Sequence, residues 1–198
     1  MTARQHPQRM QIRFAVKRPL VIRALSLPFA LHCTCSRGVQ RIEQRRTYSL
    51  DRDEIHLPPQ STIDYWLLPD ITGAAAAIWW IDERPPPAGP LQMLRDAFYE
   101  PRHSFSATLS RAVFLYPARP WSLTSIAADL CKPARSVQMR LFRENESFAA
   151  IVRRQRLHRS LLAVLHASDH EFGQGVQFDL GISTPAEQDV LARGLALL

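Results

Sequence analysis

Residues 121–165 read WSLTSIAADLCKPARSVQMRLFRENESFAAIVRRQRLHRSLLAVL, and the spacing of their apolar positions decides the fold of the region around them. Leu123, Ile126, Ala127 and Leu130 recur at intervals of three and four, the period of one helix face, and Ser122 stands before them as an N-cap. Cys131, Lys132, Pro133 and Ala134 then turn the chain, because proline lacks an N–H and restricts the residue before it. A second helix follows, with Val137 and Leu141 facing inward and Arg135, Ser136, Gln138, Met139 and Arg140 spread over its other faces. Two short helices crossing steeply through a small residue such as Ala127 make a helix-turn-helix, whose second helix has the width of the DNA major groove.

The charge distribution agrees with that reading. The 198 residues carry a formal charge of +7, which favours phosphate, anionic lipid or acidic protein as a partner. Residues 119–165 hold nine Lys and Arg against three Asp and Glu, and residues 1–50 hold ten against one. The intervening residues 51–118 and the last stretch, 166–198, are both acidic. Of the two basic blocks only 119–165 also has the period of an amphipathic helix pair. Residues 1–50 could form a nucleic-acid arm, but their arginines are interleaved with strand-like apolar residues, which favours a solvated basic face.

The residue types on the second helix suit a duplex. Arg135, at its start, can reach base edges or phosphates, and Gln138 can pair with adenine or bridge to the backbone. Ser136 and the first backbone N–H groups can hold a phosphate. Arg140, Arg143, Arg153 and Arg154 would add salt-dependent phosphate contacts without sequence preference.

Arg135-Ser136-Val137-Gln138-x-Arg140-Leu141, then Glu144-Asn145-x-Ser147-Phe148, then Arg156-Leu157 resembles the first helix-turn-helix and linker helix of AraC/XylS transcription regulators. The resemblance implies a DNA-facing helix that presents Arg135, Ser136, Gln138, Met139 and Arg140. It places Phe148 in the core and Asn145 at a turn where that family usually has Gly. Met139 stands where the family often has Arg, a departure that removes one contact. The family has a second such unit, and Val176-Gln-Phe-Asp-Leu180-Gly181 repeats the pattern of Ile126 to Cys131 at an offset of fifty residues. Beyond Ala186 the likeness decays: Gln188 and Ala192 replace buried Phe, and Val190 replaces Arg. A folded but weak reader, or a packing surface, is the expectation there.

Upstream, β-branched and aromatic residues in short runs from Met10 to Pro69 predict several strands, and Trp79 to Ile81 close one more buried segment. Arg46 to Pro59 is similar in rhythm to the small β-barrel sensor domains that often precede AraC-type units. Residues 84–90, RPPPAGP, break both kinds of structure. The expected fold is therefore α+β. A small mainly-β sensor or dimerisation domain (1–83) and a Pro-rich linker (84–90) precede an all-α DNA-binding domain (91–198). Within that domain the first helix-turn-helix spans 121–145, the linker helix 147–166 and the degenerate second unit 172–198.

Other functional classes find little support. No Gly-rich phosphate loop, nucleophile elbow or paired-carboxylate arrangement is present, so no enzyme and no cofactor are expected. Cys33, Cys35 and Cys131 cannot all pair, which fits a reducing cytoplasm. Among His56, His103, His158, His166 and His170, His166 and His170 stand four apart, but Ser168-Asp169 between them reads as a helix end, so exposed histidines rather than a ligand pair, and no metal, are expected. The run 74–81 is far shorter than the roughly 20 residues a bilayer needs, and Arg23 interrupts the signal-like stretch 19–35. A cytoplasmic, nucleoid-associated regulator is expected, with double-stranded DNA and RNA polymerase as partners and no membrane. A second copy of the chain and an effector or protein co-regulator are further expected partners. The competing reading is a protein-interaction module derived from such a regulator, which needs a chaperone-like protein or polymerase to act on DNA.

Overall fold

Alternation of period two runs through residues 10 to 81, and each run forms a strand. The computed structural model describes residues 10–44, 47–51, 54–83, 89–100, 102–167 and 176–179. The chain divides into two units, Met1–Arg84 with Ser160–Leu198, and Pro85–Arg159. The first contains β1 (Met10–Val16), β2 (Leu20–Leu25), β3 (Leu31–Arg37), β4 (Val39–Gln44), β5 (Thr47–Asp51), β6 (Glu54–Leu57), β7 (Ile63–Leu68) and β8 (Ala75–Ile81). They form a four-stranded sheet of order β1-β8-β3-β6 and a five-stranded sheet in which β5, β4, β7 and β2 are followed by a late strand.

The inward residues of the two sheets meet around Trp79, which is fully buried. Its ring takes Phe14 edge-on at 5.3 Å from its own sheet and Tyr65 edge-on at 4.9 Å from the other. Each large apolar side chain buried in this way contributes about 1.5–3 kcal/mol. At Gly38 the chain passes from β3 in one sheet to β4 in the other, with φ at +83°. A Cβ there would collide with the Leu68 carbonyl oxygen and the Ala75 Cβ, so only glycine fits the corner.

The second unit begins with α1 (Gly89–Tyr99) and α2 (Phe105–Leu115), continues with α3 (Leu123–Asp129) and α4 (Ala134–Arg143), and ends within α5 (Phe148–Ala167). Leu94, Phe105, Leu109 and Val113 pack with Ile126, Ala127, Leu130, Val137, Leu141 and Ile151 in one core. The Trp121 indole N–H donates to the Tyr116 carbonyl at 2.9 Å, which fixes the approach to α3. Gly89 and Pro90, read from sequence as linker, open α1, where proline's missing donor is tolerated. The remaining linker residues, 84–88, lie outside the described residues.

The structure differs from the sequence reading again beyond α4. Val176–Asp179, expected to begin a helix, is the late strand of the five-stranded sheet, β9 (Val176–Asp179), and runs parallel to Leu20–Arg23 of β2. The alternation of Val176 and Phe178 suits a strand, and the edge of β2 supplies partners for its backbone groups. The rest of 172–198 lies outside the described residues. His158, expected at the surface, is fully buried on α5. Among the described residues no helix is long and apolar enough to cross a membrane.

Candidate nucleic-acid interface

Two left-handed residues set the angles on either side of α4. Cys131 has φ +53°, its N–H donates to the Ala128 carbonyl, and the next N–H, from Lys132, donates to Ala127. Asn145 has φ +56°, its N–H donates to Phe142, and the Glu146 N–H donates to Leu141. Both are Schellman motifs, which satisfy the last carbonyls of a helix and turn the chain sharply. Ser147 then caps α5 by accepting from the Ala150 N–H, and Phe148 packs against the core as the resemblance implied.

Neighbouring helices hold this pair in place. Arg95 of α1 donates twice to the Asp129 carbonyl, at 3.1 and 2.9 Å, and the Tyr99 hydroxyl donates to the Leu130 carbonyl at 3.1 Å. These bonds satisfy carbonyls at the C-terminus of α3 that the helix itself leaves free. Arg119 pairs with the Asp129 carboxylate at 2.5 Å. At the far end of α4, Glu144 caps α2. Its carboxylate accepts from the Phe105 N–H at 3.0 Å, the Ser106 N–H at 2.8 Å and the Ser104 hydroxyl at 2.8 Å. Partial burial alone would raise the Glu144 pKa, but the hydrogen bonds from Ser106, Ser104 and Phe105 outweigh it and hold the carboxyl below its ordinary value.

With its ends fixed, α4 buries Val137 and Leu141 and exposes Arg135, Gln138, Met139, Phe142 and Arg143. Gln138 and Met139 follow Arg135 by three and four residues, and Phe142 and Arg143 follow them at the same intervals, so the five positions form a single stripe along the helix. Met139 is 44% exposed and Phe142 72%. Ser136 stands half-buried at the flank. The α4 N-terminus has no side-chain cap, and the Ser136 N–H donates to the Pro133 carbonyl at 2.9 Å, so the Ala134 and Arg135 N–H groups are the ones left to an acceptor.

Arg140 and Arg154 depart from the expected pattern. Arg140 Nη2 donates to the His103 carbonyl at 2.9 Å, and its Nε lies 3.5 Å from Glu144. Arg154 Nη2 donates to Glu146 at 2.6 Å. Both are tied to their own unit, whereas Arg135, Arg143 and Arg153 are exposed and have no hydrogen-bond or ion-pair partner among the described residues. Phe142 escaped the sequence reading, although its spacing from Arg135, Gln138 and Met139 placed it on their face. Arg156, also exposed on α5, was read only as part of the Arg-Leu pair. Among the described residues, the His, Cys, Asp and Glu side chains near enough to share a metal ion belong to the strand unit.

No family model matches the chain, and no curated protein matches it. Among solved structures it is similar to ToxT from Vibrio cholerae strain SCE256 with a bound unsaturated fatty acid. Identity there is 9%, with 82% of this chain and 83% of that chain covered and a TM-score of 0.45. It is similar also to ToxT from Vibrio cholerae O395, at 10% identity over 80% and 83% of the two chains, with a TM-score of 0.47. The Clostridium difficile EutQ protein is similar at 18% identity over 41% of this chain and 62% of that one, with a TM-score of 0.29. Values this low establish neither family nor function.

Proposed function

We propose that the chain is a sequence-specific DNA-binding regulator of transcription of the AraC/XylS type, with α4 as the helix that enters the major groove. The observation that carries the proposal is the stripe of Arg135, Gln138, Met139, Phe142 and Arg143, exposed on a helix whose opposite face is buried and whose two ends are locked. Arg135 and Gln138 have the donor geometry for guanine and adenine edges, and Phe142 and Met139 offer apolar contact to a thymine methyl. Arg143 and Arg153 supply phosphate contacts, with Ser136 and the free N–H groups at the start of α4. Arg140 and Arg154 position the helices instead. The strand unit would serve dimerisation or effector sensing, and RNA polymerase would be the partner that reads the outcome on DNA in the cytoplasm.

A second reading is favoured by one feature, the exposure of Phe142 beside Met139. An aromatic and a methionine on one helical face also suit a protein partner. Selection of duplexes from a random pool by the full chain separates the two. Enrichment of a common sequence, bound more tightly than random duplex of equal length, is the expected result. Salt-dependent retention on heparin without any enriched sequence would contradict specific readout and leave the interaction module.

A further inference from the structure

Outside the helical unit, three potential metal ligands meet on the strand unit. His32 of β3 and His56 of β6 are direct partners in the antiparallel register, and Glu54 lies two residues before His56. Side chains two apart on a strand share a face, and so do directly opposed ones. Leu31, Cys33, Ile55 and Leu57 face the core, so the two histidines and the glutamate rise together from the outer face.

The geometry there is close. Glu54 Oε1 is 2.8 Å from His32 Nε2 and 3.5 Å from His56 Nε2, and all three ligand atoms lie within 4.8 Å of one another. Bonds of about 2.0–2.2 Å from nitrogen or oxygen to zinc put ligand atoms on a shared tetrahedral ion about 3.3–3.5 Å apart. His32 Nε2 is buried and makes no aligned hydrogen bond, despite the carboxylate beside it. Its ring is stacked between His56, with centroids 4.0 Å apart, and Trp80, at 4.8 Å, which fixes its direction. The side chains of Glu54 and His56 are 60% and 73% exposed. Both can re-aim by rotation about side-chain bonds without any movement of the strands.

We propose that His32, Glu54 and His56 bind one divalent transition-metal ion of the zinc class, with His32 as the fixed ligand and the other two closing onto it. Two imidazoles and one carboxylate suit zinc and its borderline neighbours. Calcium and magnesium prefer all-oxygen sites, and copper(I) prefers sulfur. Cys33 points to the other face and takes no part. Three protein ligands leave a position open to water or to a small anionic ligand, next to a groove of about 360 Å³ that Pro58, Trp80 and Asp82 help to line. Because β6 is the last strand of its sheet, the ion would also staple that edge to β3 and stabilise the unit by an amount that rises with the logarithm of free ion once its concentration exceeds Kd.

Equilibrium dialysis of the full chain against zinc chloride tests the site, after the protein has been stripped with a chelator. It is done in a Cys131→Ser background to remove the exposed thiol. We expect one bound equivalent and a raised melting temperature. We further expect His56→Ala and Glu54→Gln, both at exposed side chains, to weaken binding at least tenfold while circular dichroism stays unchanged. His56→Ala that remains folded and binds as much zinc as its parent would overturn the proposal. So would a parent chain that binds none.

Discussion

At the level of single residues, the α3–α4 turn depends on a side chain in an unfavourable backbone region. Cys131 sits at φ +53°, where an L-residue carries roughly 1–2 kcal/mol of strain that glycine does not. Cys131→Gly should raise stability by about 0.5–1 kcal/mol in denaturant titration, the strain relief exceeding the entropy that glycine adds to the unfolded chain. A loss of stability would mean that the thiol packs in a way the exposed position does not show. His158 makes a pH prediction. Burial, reinforced by the positive charge of Arg154, lowers its pKa from 6.5 to about 3. The folded protein keeps the ring neutral where the unfolded chain protonates it, so stability falls as pH drops from 6.5 toward 3 and is unaffected by this group above that window. His158→Leu should flatten the slope of melting temperature against pH over the same range. From sequence, His158 read as exposed because a lone histidine among arginines gives no sign of its burial. Arg140 read as free, although its i, i+4 relation to Glu144 was a visible signal of pairing.

Among elements, local patterns were legible and long-range pairings were not. The helix period, the Ser122 cap and the breaking effect of Pro133 are all contained within a few residues, so α3, α4 and the turn between them could be read directly. Strand partners depend on register across distant segments. Nothing in the spacing of His32 and His56, 24 residues apart, indicates that they face one another. Val176–Asp179 illustrates the ambiguity of short apolar runs, since Val and Leu four apart satisfy a helical template as readily as Val and Phe two apart satisfy a strand. The corner at Gly38 gives a prediction at this scale. Gly38→Ala forces a Cβ against the Leu68 carbonyl and Ala75 while holding a positive φ. It should destabilise the strand unit by about 3 kcal/mol, the sum of backbone strain and overpacking. A thermal melt of the full chain that remains unchanged would show that the two sheets can be joined in another way.

For the whole molecule, charge and its pairing set what the proposed function predicts for binding. The net charge of +7 says little about where phosphate would sit, because Arg140 and Arg154 in the basic block are already engaged. The exposed cations Arg143 and Arg153, which have no partner among the described residues, set the expectation. With about two phosphate contacts from these side chains, the logarithm of the association constant should fall with the logarithm of salt at a slope of about −2. Removing either arginine should reduce the slope by about one, whereas Arg135→Ala should leave it nearly unchanged. A slope unchanged in both phosphate-contact variants would place the nucleic-acid surface elsewhere. The most direct test of the central claim is a titration of the selected duplex and a random duplex with wild type, Arg135→Ala and Arg140→Ala. If α4 reads the groove, Arg135→Ala loses about 5- to 150-fold in preference for the selected sequence with unchanged helicity. Arg140→Ala, in contrast, loses stability and keeps its preference. Wild-type discrimination by folded Arg135→Ala would contradict the account.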